Sequence, residues 1–284
     1  MFINILTYVT NENIAYVKTM LYSMFINKKP QTRYRIFCLE YESEKATNSL
    51  SFLFQNEKNF CIRHIEIEKL IADLKLDDEK DFNKCFKLCL NKIINEINIK
   101  IGLKRHNENI KKRVNEESVD KIIYLNHDLI INSDLTELYN INLLDDDYLA
   151  TVFYPSYNKI FGNMILFNVK RIISESVFDK LLIKLDNDGL NLNSIENQDE
   201  LLYTYLSKHI KPLSIKFNLP NIDLSKHIYQ TNDIDDLKEL LHDINNPLIF
   251  NYVNIPWCDS YVIYSDIWKQ YYKQVLYYEL QMSR

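Results

Sequence analysis

Residues 121–139 read KIIYLNHDLIINSDLTELY, and the first half of that stretch decides the fold. Ile122, Ile123, Tyr124 and Leu125 form an unbroken β-branched and aromatic run, the pattern of a strand buried on both faces of a parallel sheet. The chain then turns polar at once, through Asn126, His127 and Asp128. In open α/β sheets ligands collect at the carboxyl ends of such strands, so this step puts metal-capable side chains where a nucleotide would lie. The same residues also suit an ordinary strand-end turn, because Asn and Asp are common turn formers. Both readings are open from this window alone.

Outward from it, strand-like and helix-like segments alternate, as an α/β sheet flanked by helices requires. Strands are expected at Ile3 to Val9, Tyr34 to Leu39 and Ile62 to Ile67, with a helix from Ala15 to Ile26. Phe82, Cys85, Phe86, Cys89, Ile93 and Ile97 recur near the helical period and predict one helix over Asp81 to Ile97. Later come strands at Tyr148 to Phe153 and Asn163 to Val169, then helices from about Lys170 to Leu185 and Asp199 to His209. A charged stretch at 98–119 reads as a solvated insertion, or as a basic loop approaching an acceptor or a membrane. The tail from Tyr261 mixes Trp268, Tyr271, Tyr272, Tyr277 and Tyr278 with Lys269 and Lys273. Such an amphipathic helix rests either on a bilayer interface or on the protein's own core.

Composition narrows the class. A length of 284 residues suits one α/β domain with an appendage, divided here as 1–257 and 258–284. A net charge of −5 argues against a nucleic-acid binder, whose affinity comes from phosphate neutralisation. Five cysteines in irregular spacing read as reduced thiols, with Cys85 and Cys89 as core residues one helical turn apart. MFINILTYV lacks a basic leader and no run reaches transmembrane length, so a cytoplasmic location is expected. The three glycines, Gly102, Gly162 and Gly189, stand alone, which excludes both a G-x-G-x-x-G fingerprint and a P-loop.

The 121–139 window resembles the signature of glycosyltransferase family 8, retaining sugar transferases of the GT-A fold that include glycogenin and bacterial lipopolysaccharide galactosyl- and glucosyltransferases. In that family the strand ends in Y-L-D-x-D and is followed by D-L-x-x-L-[WY]. Here stand Tyr124, Leu125, Asn126, His127 and Asp128, then Asp134-Leu135 and Leu138-Tyr139. The resemblance implies a UDP-sugar donor, a glycan or glycolipid acceptor, and a divalent cation, Mn2+ or Mg2+, that offsets charge on the departing diphosphate. Oxygen ligands suit those ions. Asp128 then represents the second carboxylate, while Asn126 replaces the first with a neutral amide, so a weak or absent metal is expected.

Further matches follow in the family's order. Tyr8, Thr10 and Asn13 take the positions that face the nucleotide, although the usual Asp is missing and a plain turn with Thr10 or Asn11 as helix cap explains them as well. Asn163 stands near the family's sugar-binding Asn, with Met164 where a glycine is usual and expected to crowd the site. Asn197, Gln198 and Asp199 represent a D-Q-D triplet whose members bind sugar hydroxyls and set an amide near the anomeric carbon. Gln198 is the candidate lining the reacting face, and Asn197 is equally a good helix cap. Pro212, Leu213, Phe217 and Asn218 match a further motif. Near the end the family's H-x-x-G-x-x-K-P-W is reduced to Asn251, Ile255, Pro256 and Trp257, which leaves Asn251 as the stand-in for a His metal ligand.

Three functions fit these residues. The first is a retaining hexosyltransferase acting with a cation. A second is a transferase in which basic side chains such as Lys87 replace the ion. The third is a catalytically inactive binding or partner-stabilising module on the same fold, motivated by the lost charges at 126 and 255.

Overall fold

In a computed structural model the chain is described at residues 2–41, 45–102, 119–154, 159–231, 233–253 and 262–282. β1 (Phe2–Tyr8), α1 (Ile14–Asn27), β2 (Arg33–Glu40), α2 (Lys45–Leu53), β3 (Phe60–Glu66) and α3 (Glu68–Leu74) alternate first. α4 (Glu79–Cys85), a 3-10 turn (Phe86–Cys89) and α5 (Leu90–Lys100) precede β4 (Lys121–Leu125), β5 (Leu129–Ile131) and α6 (Thr136–Tyr139). β6 (Leu149–Tyr154), β7 (Lys159–Ile160), β8 (Met164–Asn168), α7 (Val169–Glu175), α8 (Val177–Asn187) and α9 (Gln198–Leu206) follow. β9 (Ile210–Leu213), β10 (Leu219–Pro220), α10 (Ser225–Gln230), α11 (Ile234–Asn245), β11 (Ile249–Asn251) and α12 (Ser265–Met282) complete the order.

The main sheet runs β3-β2-β1-β4-β8-β6-β7, with β9 also paired to β6. β3, β2, β1 and β4 are parallel, and β8 enters antiparallel between β4 and β6. β4 behaves as its composition requires, because its side chains feed two different cores. Ile123 and Leu125 join the cluster containing α1 and α12, whereas Ile122 and Tyr124 join the one containing α5, α8 and α9. A strand apolar at every position is thus buried on both faces. A small second sheet, β10-β11-β5, is antiparallel between β11 and β5. Its strands are too short to leave a periodic signal in sequence.

Two expected helices are broken, one at a long-range tie and one at a local turn. In the first, the Lys87 amide donates to the Gln198 side chain at 3.0 Å, within the 3-10 turn that separates α4 from α5. The stretch from Lys170 to Leu185 divides at Ser176, which sits at φ 51°, in the left-handed region, and closes α7 with its amide. Glycine adopts that conformation without a Cβ penalty. Ser176→Gly is therefore expected to stabilise the fold by about 0.5–1 kcal/mol in urea unfolding, and a loss of stability would contradict this geometry.

The aromatic tail packs on its own protein. Trp268 and Val275 of α12 are buried and Tyr271, Tyr272 and Tyr278 lie against the core beside α1, while Leu276, Tyr277 and Leu280 face outward. Among the described residues no helix is long and apolar enough to cross a membrane. Most of the charged stretch at 98–119, and the Ile255, Pro256 and Trp257 positions, lie outside the described residues.

Candidate active site

The carboxyl ends of β2, β1 and β4 open on one cavity of about 970 Å³. Because β8 runs antiparallel to β4, with Met164 opposite Leu125, the Gly162-Asn163 turn reaches the same edge. There the Asn126 amide donates to the Asn163 carbonyl at 2.8 Å. The amino terminus of α9 and the turn carrying Lys87 also border the cavity. Tyr8, Thr10, Asn13, Lys87, Asn126, Asn163, Asn197, Gln198 and Asp199 all line this cavity, which brings together residues scattered from 8 to 199. Asp128 and Asn251 are not among the lining residues.

Beside the end of β4 stands an ion pair. Lys87 Nζ lies 2.6 Å from Asp199 Oδ1, and its side chain is almost fully buried beneath the pair. The ammonium also stands 5.1 Å from the centre of the Tyr124 ring. Asp199 Oδ2 accepts from the Gly162 amide at 3.0 Å. Gly162 is what permits that approach, since a Cβ there would stand 2.1 Å from Asp199 Oδ1.

Gln198, the candidate for the reacting face, lines the cavity with its amide bonded to backbone. Its Oε1 accepts from the Lys87 amide and its Nε2 donates to the Asn83 carbonyl at 3.0 Å. Both ends of the amide are committed to backbone, so Gln198 anchors the Lys87 turn to α9. Asn197 caps α9, its side chain accepting from the Asp199 and Glu200 amides.

On the first loop, Asn13 Oδ1 accepts from the Thr10 amide and Thr10 Oγ1 accepts from the Asn13 amide, at 2.8 and 3.1 Å. Asn13 Nδ2 donates to the Tyr8 carbonyl. The loop is a self-bonded turn, and neither Thr10 nor Asn11 is the residue capping α1. Tyr8 stacks on Phe86 at 5.7 Å and donates its hydroxyl to Glu79 Oε1 at 2.9 Å, so one ring face is already occupied. Burial, reinforced by Glu79, pushes that phenol far up, and it stays a donor. Met164 does not crowd the cavity: it is fully buried in the core on β8. Its position admits a large side chain because the strand turns it away from the opening.

Beneath the strand end sit the candidate cation ligands. Asn163 Nδ2 donates to Asp128 Oδ2 at 2.5 Å, while Asp128 Oδ1 is buried without a hydrogen-bond partner. Burial pushes the Asp128 carboxyl up to about 7, against the opposing effects of its hydrogen bonds and of Lys87. Asn251 pairs with Leu129 across β5 and β11, and the Tyr252 amide donates to the Asp128 carbonyl at 2.9 Å. Asn251 is fully buried with both Oδ1 and Nδ2 unpartnered. Orphaned buried polar atoms are rare and call for an explanation such as an ion or water. The donors of Asn126, Asp128 and Asn251 fit a hard, oxygen-seeking cation, held by a single negative charge. Among the described residues no three His, Cys, Asp or Glu side chains gather as a metal site. His127, the middle residue of the triplet, lines the cavity and is kept neutral, burial lowering it to about 4.

Sequence reasoning missed Glu40, Glu79, Asn83 and Tyr16, which also line the cavity. No motif marks them. Gly162 was the readable signal for the Asp199 seat, in a chain with so few glycines.

This architecture recurs in known structures. The galactosyltransferase LgtC, in complex with donor and acceptor sugar analogues, superposes with a TM-score of 0.66 at 15% identity, over 96% of each chain. The fold is GT-A. GlyE, a glycosyltransferase of Streptococcus pneumoniae TIGR4, matches at a TM-score of 0.62 and 18% identity over 99% of this chain and 64% of its own. The bifunctional glycosyltransferase WbbM matches at 0.64 and 14% identity, over 95% of this chain and 49% of its own. The present GT-A chain thus spans about half the length of WbbM and just under two thirds of GlyE. No protein-family model matches the sequence, and no curated protein does. At these identities the likeness speaks for the architecture alone.

Proposed function

We propose that this protein is a retaining glycosyltransferase that moves a hexose from a UDP-sugar to a glycan or lipopolysaccharide-type acceptor. The observation that carries the reading is the convergence of Asn126 and His127, at the end of β4, and the Lys87–Asp199 pair on one cavity at the strand ends of a GT-A sheet. LgtC, matched over 96% of its own chain, was captured with donor and acceptor sugar analogues. Asp199, held rigid by Lys87 and the Gly162 amide, offers carboxylate oxygens to sugar hydroxyls near the reacting carbon. Preorganised groups of this kind accelerate a reaction because they need not reorganise as charge develops. Same-face attack assisted by the departing phosphate accounts for retention, since the Gln198 amide is a poor nucleophile and is tied to backbone.

A Mn2+ or Mg2+ ion held by Asn126, Asp128 and Asn251 would offset charge on the departing diphosphate. With one carboxylate in the set, its affinity is expected to be low. The outward face of α12, with Leu276, Tyr277 and Leu280, is the surface a glycolipid-bearing membrane would meet.

The test is hydrolysis of, or transfer from, a panel of UDP-hexoses with Mn2+ present. Lys87→Met should lower turnover at least about tenfold, because the Asp199 carboxylate loses its positioning partner. Unchanged turnover would remove Lys87 and Asp199 from the mechanism. The commitment of Gln198 to backbone favours a second reading, a non-catalytic module on the same fold. Calorimetry separates the two: UDP binding that tightens with Mn2+ supports the enzyme, and no binding of UDP supports the module.

A further inference from the structure

Two chains of contact join the start of α12, at Trp268 and at Tyr264 just before it, to the loop at 126–128. Trp268 stacks on Tyr272 at 5.0 Å and meets Tyr16 of α1 at 5.9 Å, and Tyr16 in turn stacks on His127 at 6.0 Å. Along the second chain, the Tyr252 hydroxyl donates to the Tyr264 carbonyl at 2.7 Å, while the Tyr252 amide donates to the Asp128 carbonyl. Tyr264 itself stands at φ 61°, a left-handed conformation that a bulky L residue rarely adopts. The contacts around it, including Phe250 at 5.0 Å between ring centres, hold it there. Backbone strain of this kind persists only where the surroundings over-determine it.

We infer that the docked start of α12, with the residue before it, positions the candidate site, Trp268 acting through Tyr16 on His127 and Tyr264 acting through Tyr252 on Asp128. From the β8 side the loop is held by Asn163, which donates to Asp128 Oδ2, and from β4 by the Tyr124 hydroxyl on Asn126 Oδ1. Asn126 is tied across to Asn163, and the Asp128 carboxylate leaves one oxygen unpartnered. The ring contacts reach the loop at His127 and the hydrogen-bonded route reaches it at the Asp128 carbonyl, so each restrains a different residue. Trp268 and Tyr252 are positioning residues; neither lines the cavity. The consequence is that α12, remote in sequence from the strand-end motif, sets the affinity of the site. This inference adds to the transferase reading, and its nucleotide arm rests on it.

Hydrogen exchange on the whole protein tests it without any ligand. Amides 126–129 are compared with those of β1 in the same sample, in Trp268→Leu, Trp268→Phe, Tyr252→Phe and Val275→Ala. Val275 lies two turns along α12 and is equally buried, so its truncation weakens helix docking without touching either route. Trp268→Leu and Tyr252→Phe should speed exchange at 126–129 relative to β1 by about tenfold. Trp268→Phe should restore most of the protection, and Val275→Ala should leave the ratio unchanged. Tyr252→Phe removes a single hydroxyl and keeps the test alive if Trp268→Leu fails to fold. Equal loosening in Val275→Ala, or no change in Tyr252→Phe, would overturn the inference. UDP binding, measured in parallel, should weaken in the two variants that loosen the loop. Absence of UDP binding by the unaltered protein would instead count against the nucleotide-sugar reading and leave the exchange result standing.

Discussion

Asp128→Asn is expected to make the protein more stable at pH 8 while abolishing cation-dependent UDP binding. The carboxyl titrates near 7 in the folded chain, against an ordinary value of 3.8, because burial penalises its charged form. The folded state therefore binds that proton more tightly than the unfolded state. Stability is lost as pH rises from about 4 to 7, and the loss is complete above the folded value. A shift of about three pH units corresponds to about 4 kcal/mol at most. The amide removes this penalty and keeps an oxygen for Asn163, but it places a new donor where Oδ1 was unpartnered, at a cost of about 1–3 kcal/mol. The net expectation in chelator is a gain of about 1–2 kcal/mol at pH 8, with no gain at pH 4. Thermal unfolding at the two pH values reads this directly. A variant destabilised equally at both would mean that the buried charge is not what burdens the fold. Added Mn2+ should stabilise the native protein and leave Asp128→Asn unmoved.

Gly162→Ala is expected to be the most damaging single methyl in the site. The added Cβ would lie 2.1 Å from one Asp199 oxygen and 2.5 Å from the other, far inside contact distance, so the carboxylate must leave its seat. Its departure breaks the bond to the Gly162 amide and the ion pair with Lys87, whose side chain is buried. Stranding a buried ammonium is costly, and with Asp199 partly exposed the expected loss is about 2–3 kcal/mol. Turnover should fall at least about a hundredfold if the proposed role of Asp199 holds. The double variant Gly162→Ala/Asp199→Ala should show less than the summed loss of stability, since the second change removes the atoms in conflict. Strict additivity in urea unfolding would show that the glycine acts elsewhere.

How much of this was readable differs residue by residue. The strand at 121–125 was legible because burial on both faces demands apolar side chains at every position, and its end was legible because Asn, His and Asp have no place in such a strand. The Asn197-Gln198-Asp199 triplet was legible as a helix start, which it is, but not as a tie to Lys87. That tie spans 111 residues, and nothing in local composition encodes it. Thr10 and Asn13 were read as facing a nucleotide or as a plain turn; they line the cavity, and their side chains bond each other's backbone amides and the Tyr8 carbonyl. A polar side chain announces its capacity for hydrogen bonds, never its partner. Met164 illustrates the same limit for volume, since only the facing of β8 sends it into the core.

By itself the sequence determined the layered α/β order, the polar turn at the end of the central strand where the candidate site lies, and the single charge left among the candidate cation ligands, because periodicity and residue type are local properties. Tertiary structure alone decided that Lys87 and Asp199 neutralise each other, that Gly162 makes room for them, and that the aromatic tail lies against α1 and reaches His127 through Tyr16. Those are relations between residues far apart in the chain, and they exist only once packing has brought the distant surfaces within van der Waals and hydrogen-bond range.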